Sequence, residues 1–271
     1  MTYLHRMKLL RRFALPLLAR FGSRDVTVSH AWHPEHRVRL NLFRHKGYWF
    51  HGKRREQDLM ETLERLVRPG AYVVEIGCHI GWISLHLAKL VDGDGRLFAF
   101  EPSPNNLPYL RANLASFGNA EVIDLAVSDE IGEATFYVEP LTGQNDTLIK
   151  DYAMFDSNRA SAYSEASYES ITVSTTTLDD YFSGQDQPLA LLKIDVEGAE
   201  LMVLKGGMRL ISAQRPVIAI EITQNKDDIL ALLLDTGYQP FDDALRPIVD
   251  FEIPRINWLF LHSMQHKKDL Q

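Results

Sequence analysis

Tyr72-Val73-Val74-Glu75-Ile76-Gly77-Cys78-His79-Ile80-Gly81 runs from a short, mostly β-branched apolar segment into a turn with two glycines four residues apart. An apolar run of this kind, without polar alternation, suits a parallel strand buried on both faces. Ile83, Leu85, Leu87 and Leu90 continue it with helical spacing. Strand, glycine turn and helix together make the first unit of a nucleotide-binding α/β fold. On the upstream side, an amphipathic helix through Leu59, Leu63, Leu66 and Val67 stops at Pro69-Gly70.

Downstream the alternation repeats. Arg96 to Glu101 reads as a strand, Pro104 to Phe117 as a helix and Glu121 to Val127 as a third strand. Leu189 to Asp195 is the central strand, with a helix starting near Gly198; Val217 to Ile222 is the next strand and Lys226 to Thr236 the next helix. Two short strands, near Tyr238 and at Asn257 to His262, close the sheet. Repeated strand-helix units predict a doubly wound, mainly parallel sheet with helices on both faces. A Ser/Asn/Asp-rich insertion at about 140–170, carrying Tyr152, Phe155, Tyr163 and Tyr168, interrupts this order. The β-like runs Ala134 to Val138 and Ile171 to Thr175 flank it and predict a hairpin. A long insertion at this place is an active-site lid or a surface excursion.

The 271 residues divide most simply into an N-terminal extension, 1–55, and a catalytic domain, 56–271. Cys78 is the only cysteine, which excludes an intramolecular disulfide and a cysteine-built zinc site and suits the cytoplasm. A net charge of -7 argues against a general nucleic-acid binder. The extension is expected to be helical or irregular. Its Arg6, Lys8, Arg11, Arg12, Arg20 and Arg24 precede the first acidic residue, Asp25, and are interleaved with apolar residues. A helix of this kind touches an anionic membrane surface or packs on the catalytic domain or a partner subunit, which is the commoner case; a homodimer contact is a further role. The extension also holds His30, His33, His36, His45 and His51. No carboxylate-rich or HExxH pattern accompanies them, so structural histidines are expected rather than metal ligands.

Three pieces of the domain carry chemistry. The Gly77–Gly81 turn lets backbone approach a ligand, although such glycines also permit tight helix packing. It lacks the GxGxxG of dinucleotide binders. That counts against an NAD-dependent oxidoreductase and suits an adenosyl cofactor without a pyrophosphate. Glu101, at the end of the second strand, can accept both hydroxyls of a ribose. Leu192-Lys193-Ile194-Asp195-Val196-Glu197-Gly198-Ala199-Glu200 releases charged residues at the carboxyl end of a buried strand, where open α/β sheets bind ligands. Asp195 is placed there to orient an acceptor or take its proton. Glu197 and Glu200 are read as first-turn acids of the next helix.

With Phe100-Glu101-Pro102-Ser103-Pro104-Asn105-Asn106, Ala126-Val127-Ser128-Asp129 and Thr176-Thr177-Leu178-Asp179-Asp180, these pieces form an ordered set that resembles the FkbM-type methyltransferases over about residues 65–262. The resemblance implies a class I, Rossmann-like seven-stranded sheet whose last strand is antiparallel. It also implies methyl transfer from S-adenosylmethionine to a hydroxyl oxygen, often of a sugar, glycan or natural product. It assigns cofactor contact to Glu75, Gly77, Gly81 and Glu101, with Cys78, His79, Pro102, Asn106 and Ala126 nearby. Asp195 falls at the methyl-transfer mouth. Glu221, ending the neighbouring strand, is the second candidate catalytic carboxylate. A divalent metal held by the pair is a variant, with metal-free catalysis preferred. A non-catalytic binding protein that uses the fold as a scaffold is the remaining alternative.

Overall fold

Apolar strands with little alternation must be covered on both faces, and the computed structural model of the chain, described over residues 24–139, 142–150, 152, 168–185, 187–253, 255, 257–263 and 265, shows how this is done. The chain divides into two units, Met1–Arg55 and Glu56–Gln271.

In the first unit, β1 (Asp25–Ser29) and β2 (Arg37–Asn41) form an antiparallel hairpin, followed by a short helix α1 (Lys46–His51) and a 3-10 turn (Gly52–Arg54). The expectation of a helical or irregular extension is therefore corrected for these residues. Arg37-Val38-Arg39-Leu40 alternates charged and apolar residues, which puts Val38 and Leu40 on one buried face. The basic residues from Arg6 to Arg20 lie outside the described residues. His30 and His45 are buried, and each accepts backbone N–H bonds on its Nδ1, His30 from Trp32 and His33, His45 from Asn41. Burial pushes His45 down to about 3, so it is a neutral hydrogen-bond acceptor.

The second unit runs α2 (Gln57–Leu66), β3 (Tyr72–Ile76), α3 (Trp82–Val91), β4 (Arg96–Phe100), α4 (Leu107–Leu114), β5 (Ala120–Ile123), β6 (Ala126–Val127), β7 (Gly132–Val138) and β8 (Glu169–Thr176). It continues with α5 (Leu178–Tyr181), β9 (Leu189–Ile194), α6 (Glu200–Lys205), α7 (Met208–Gln214), β10 (Val217–Glu221), α8 (Lys226–Asp235), β11 (Tyr238–Phe241) and β12 (Asn257–His262). Seven strands form the main sheet in the order β11-β12-β10-β9-β3-β4-β5. β12, the last in the chain, is antiparallel to both its neighbours and inserts between β10 and the edge strand β11. This is the class I methyltransferase architecture expected from the resemblance.

The period of two along each strand separates the two faces of this sheet. Val74, Ile76, Phe98, Phe100, Leu192, Ile194, Ile218, Ile220 and Phe260 belong to one apolar core cluster. On the other face, Ala99, Glu75, Lys193 and Ala219 lie side by side across four strands. One charged pair is thus framed by two alanines in the middle of the sheet.

Three boundaries differ from the sequence expectation. The helix read from Pro104 to Phe117 is α4, Leu107–Leu114; Pro104–Asn106 belong to the preceding turn. The strand read from Glu121 to Val127 is two strands, because the chain leaves the main sheet after Ile123 and β6 pairs with β8. The helix after β9 begins at Glu200. The expected hairpin is present as β7 and β8, with Ala134 opposite Val173 and Val138 opposite Glu169.

Candidate active site

The turn after β3 is held by its backbone. The N–H groups of Gly77 and Cys78 both donate to the carbonyl of Phe100, at 3.0 and 3.3 Å. Gly77 has φ +83°, and a Cβ there would lie 1.7 Å from the Asp195 carbonyl oxygen. This glycine lets the β3 and β9 loops touch, which brings Asp195 beside the turn. Gly81, also at φ +83°, lies against Leu110 of α4. Both glycines therefore meet a packing requirement of their own. His79 adopts φ 51°, and its N–H donates to Glu101 Oε2 at 2.6 Å. Its side-chain Nε2 donates to the Thr142 carbonyl at 3.1 Å. The Cys78 thiol turns back to the Glu75 carbonyl at 3.4 Å, so its side chain is spent inside the loop.

Glu101, buried just past β4, collects donors. Besides His79, the Ser103 N–H reaches Oε1 at 2.9 Å and Asn106 Nδ2 reaches it at 3.4 Å. Pro102 lies between Glu101 and Ser103, half-buried, with no side-chain role of its own in these bonds. Burial pushes the carboxyl up to about 8, and these hydrogen bonds pull against that shift. Ala126, read as part of the third strand of the main sheet, is placed in β6 of the small sheet, opposite Thr175.

Glu75 and Lys193 are almost wholly buried, with Lys193 Nζ 3.6 Å from Glu75 Oε1 and 3.1 Å from Asp195 Oδ2. Burial raises the Glu75 pKa and Lys193 opposes the shift. Glu75 Oε2, shut away from solvent, finds no hydrogen-bond partner of normal geometry among the described residues, with the Ser84 hydroxyl and the Cys78 thiol as its polar neighbours. A buried acceptor of this kind calls for a donor.

Beyond Asp195 opens a shallow recess lined among others by Glu56, Lys193, Asp195, Glu221, Asp243 and Trp258. Glu221 is pushed up to about 9 by burial and then by the carboxylates of Asp195 and Glu197, so it carries a proton at neutral pH. Among the described residues no group of three or more His, Cys, Asp or Glu is arranged to hold a metal ion.

Glu197 departs from the expected first-turn role. It lies ahead of α6 at φ 53°, and the Tyr152 hydroxyl of the insertion donates to its Oε2. The Thr147 hydroxyl donates to the Glu197 carbonyl at 2.7 Å, and Asn106 Nδ2 to the Gly143 carbonyl at 3.0 Å. The described part of the insertion therefore lies against both the β3 turn and the β9 turn. Phe155 and Tyr163 fall outside the described residues. Glu200 is the first residue of α6; it is buried, and its Oε1 accepts the Gly198 N–H at 2.8 Å.

Sequence reading missed Lys193 and Tyr152. A lysine inside the otherwise apolar Leu189-Ala190-Leu191-Leu192-Lys193-Ile194 was a visible signal, since buried lysines are almost always paired. Nothing local marked Tyr152, whose partner lies 45 residues away.

Comparison with known proteins adds the family. The methyltransferase FkbM domain matches residues 75–240. A curated relative, protein-L-isoaspartate O-methyltransferase of Aeropyrum pernix, is 37% identical over 62 residues, which is 23% of this chain and 24% of that protein. Among solved structures, methyltransferase FkbM from Methylobacillus flagellatus is 20% identical with a TM-score of 0.42, covering 75% of this chain and 50% of that one. Fibrillarin from Aeropyrum pernix, in complex with natively bound S-adenosyl-L-methionine, is 12% identical with a TM-score of 0.41, covering 72% of this chain and 68% of that one. The chain spans about a quarter of the curated relative and half of the FkbM structure. The match over residues 75–240, more than half of the sequence, places the chain in the FkbM methyltransferase family.

Proposed function

We propose that this chain transfers a methyl group from S-adenosylmethionine to a hydroxyl oxygen of a sugar, glycan or related small molecule in the cytoplasm. The observation that carries the reading is the pairing of two buried carboxylates around one turn. Glu75 offers an orphaned acceptor and Glu101 sits in a ring of donors, with Asp195 pressed against Gly77 between them and the recess. An adenosyl cofactor has the matching groups, an ammonium for Glu75 and a ribose diol for Glu101. A carboxylate has about four lone-pair sites, and the three donors at Glu101 leave room for one of the two ribose hydroxyls. The cofactor supplies a sulfonium methyl already activated for transfer.

What remains for the protein is alignment, exclusion of water and removal of one proton. The Lys193 ammonium fixes Asp195 Oδ2, and the Asp195 carboxylate faces the recess to receive the acceptor's hydroxyl proton. Glu221, protonated at neutral pH, is a hydrogen-bond donor to the acceptor rather than a second base. The described part of the insertion lies against the β3 turn through Thr142 and against the turn after β4 through Gly143.

The test supplies methyl-labelled cofactor and a panel of glycans to the purified chain and treats the product with alkali. Label that survives supports an ether on a hydroxyl oxygen; label released as methanol marks a carboxyl ester and contradicts the acceptor class. Activity is expected to persist in excess chelator, and its loss there would establish the metal variant.

A further inference from the structure

The two units carry opposite charge. Residues 1–55 hold thirteen lysines and arginines against two acidic residues, a net of +11, so the remainder of the chain carries -18. Asymmetry on this scale between two parts of one chain marks the basic part for an anionic partner.

The described residues of the first unit show where that charge meets apolar surface. Trp49 and Phe50, at the end of α1, are 37% and 62% exposed. His51, Lys53 and Arg54 follow them in the chain, all exposed. The Trp49 indole is pinned by its Nε1 donating to the Leu42 carbonyl at 2.9 Å, and Lys53 lies over the Trp32 ring at 5.3 Å. Two exposed aromatic rings followed three and four residues past Phe50 by two cations match the interfacial level of a bilayer. Amphipathic rings settle there among headgroups, and lysine and arginine meet anionic lipid. Nucleic acid and acidic protein surfaces also attract +11, but neither explains why a tryptophan and a phenylalanine are left in water beside the charge.

We propose that the first unit docks on an anionic membrane surface through Trp49, Phe50, Lys53 and Arg54. Aromatic insertion and headgroup attraction act together, as reversible anchoring requires two signals. This inference stands independently of the methyl-transfer reading. The full chain is expected to co-sediment with vesicles of phosphatidylcholine mixed with phosphatidylglycerol and to stay in solution with phosphatidylcholine alone. Binding should fade at about 1 M salt, where the Debye length is about 3 Å. Neutralising Lys53→Gln and Arg54→Gln together should weaken binding roughly 25-fold, about fivefold for each charge. The pair Trp49→Ala and Phe50→Ala should weaken it at least about tenfold. All four side chains are exposed, and circular dichroism checks that each variant is folded. Equal binding to neutral vesicles, binding untouched by both pairs of changes, or retention only on DNA or as a salt-sensitive dimer would overturn the proposal. The salt series on the unaltered chain decides the electrostatic half even if a variant misfolds.

Discussion

Glu101, buried, and Glu221, half-buried, both stand at the carboxyl end of a parallel strand, yet their surroundings oppose each other. Burial pushes both up, to about 8 and about 9. Around Glu101 the next influences are hydrogen bonds from Ser103, His79 and Asn106, which favour the anion, together with a lesser push from Asp146. Around Glu221 they are the carboxylates of Asp195 and Glu197, which favour the proton. Glu101 is thus surrounded by hydrogen-bond donors, whereas Glu221 is crowded by other carboxyl groups. Lys193 stands between the two and serves both Glu75 and Asp195.

The largest expected effect comes from removing that shared cation. Lys193→Met leaves two carboxylates against each other without compensation, and breaking such a buried pair costs about 3–5 kcal/mol, readable in a denaturant titration. A loss below about 1 kcal/mol would mean that those two carboxylates do not depend on it. Next comes Asp195→Asn, which should cut turnover by about 10²–10⁴ as expected for loss of a general base, with affinity for S-adenosylhomocysteine nearly unchanged. Unaltered turnover removes Asp195 from the chemistry.

The proton held at Glu221 predicts a direction in pH. A carboxyl whose folded pKa is raised stabilises the fold below its unfolded value, and that contribution is lost as pH rises through the folded value. Glu101, Glu197, Glu200 and Glu221 are raised to about 8, 8, 7 and 9. The melting temperature of the free chain should therefore fall as pH rises from about 5 to about 9. Glu221→Gln should flatten the upper end of that fall, and an unchanged profile would contradict the protonated state. The smallest effect belongs to Tyr152→Phe. It removes one hydrogen bond to Glu197, about 1–3 kcal/mol in stability depending on the charge of that carboxyl.

The same contrast explains what could be read in advance. Strands such as Val73 to Ile76 and Leu189 to Ile194 declare themselves through local apolar runs, and the resemblance implied seven strands with the last antiparallel, but their order came with the structure. Glu75, Glu101 and Asp195 were singled out through their places at strand ends and through the resemblance, and the structure brings them around one turn. The β1–β2 hairpin was overlooked although Arg37 to Leu40 shows the required alternation, because the basic residues before it drew a helical reading. The break after Ile123 and the Tyr152 contact with Glu197 depend on partners far along the chain. The protonation of Glu221 depends on three neighbouring elements at once, which no local pattern records.

Calorimetric titration with S-adenosylhomocysteine, comparing the unaltered chain with Glu101→Ala, tests the central claim most directly. Micromolar binding weakened about tenfold in the variant, as loss of a hydrogen bond at this carboxyl predicts, is the expected result. No binding to the unaltered chain, or equal binding to both, would contradict the assignment of this cleft to an adenosyl cofactor.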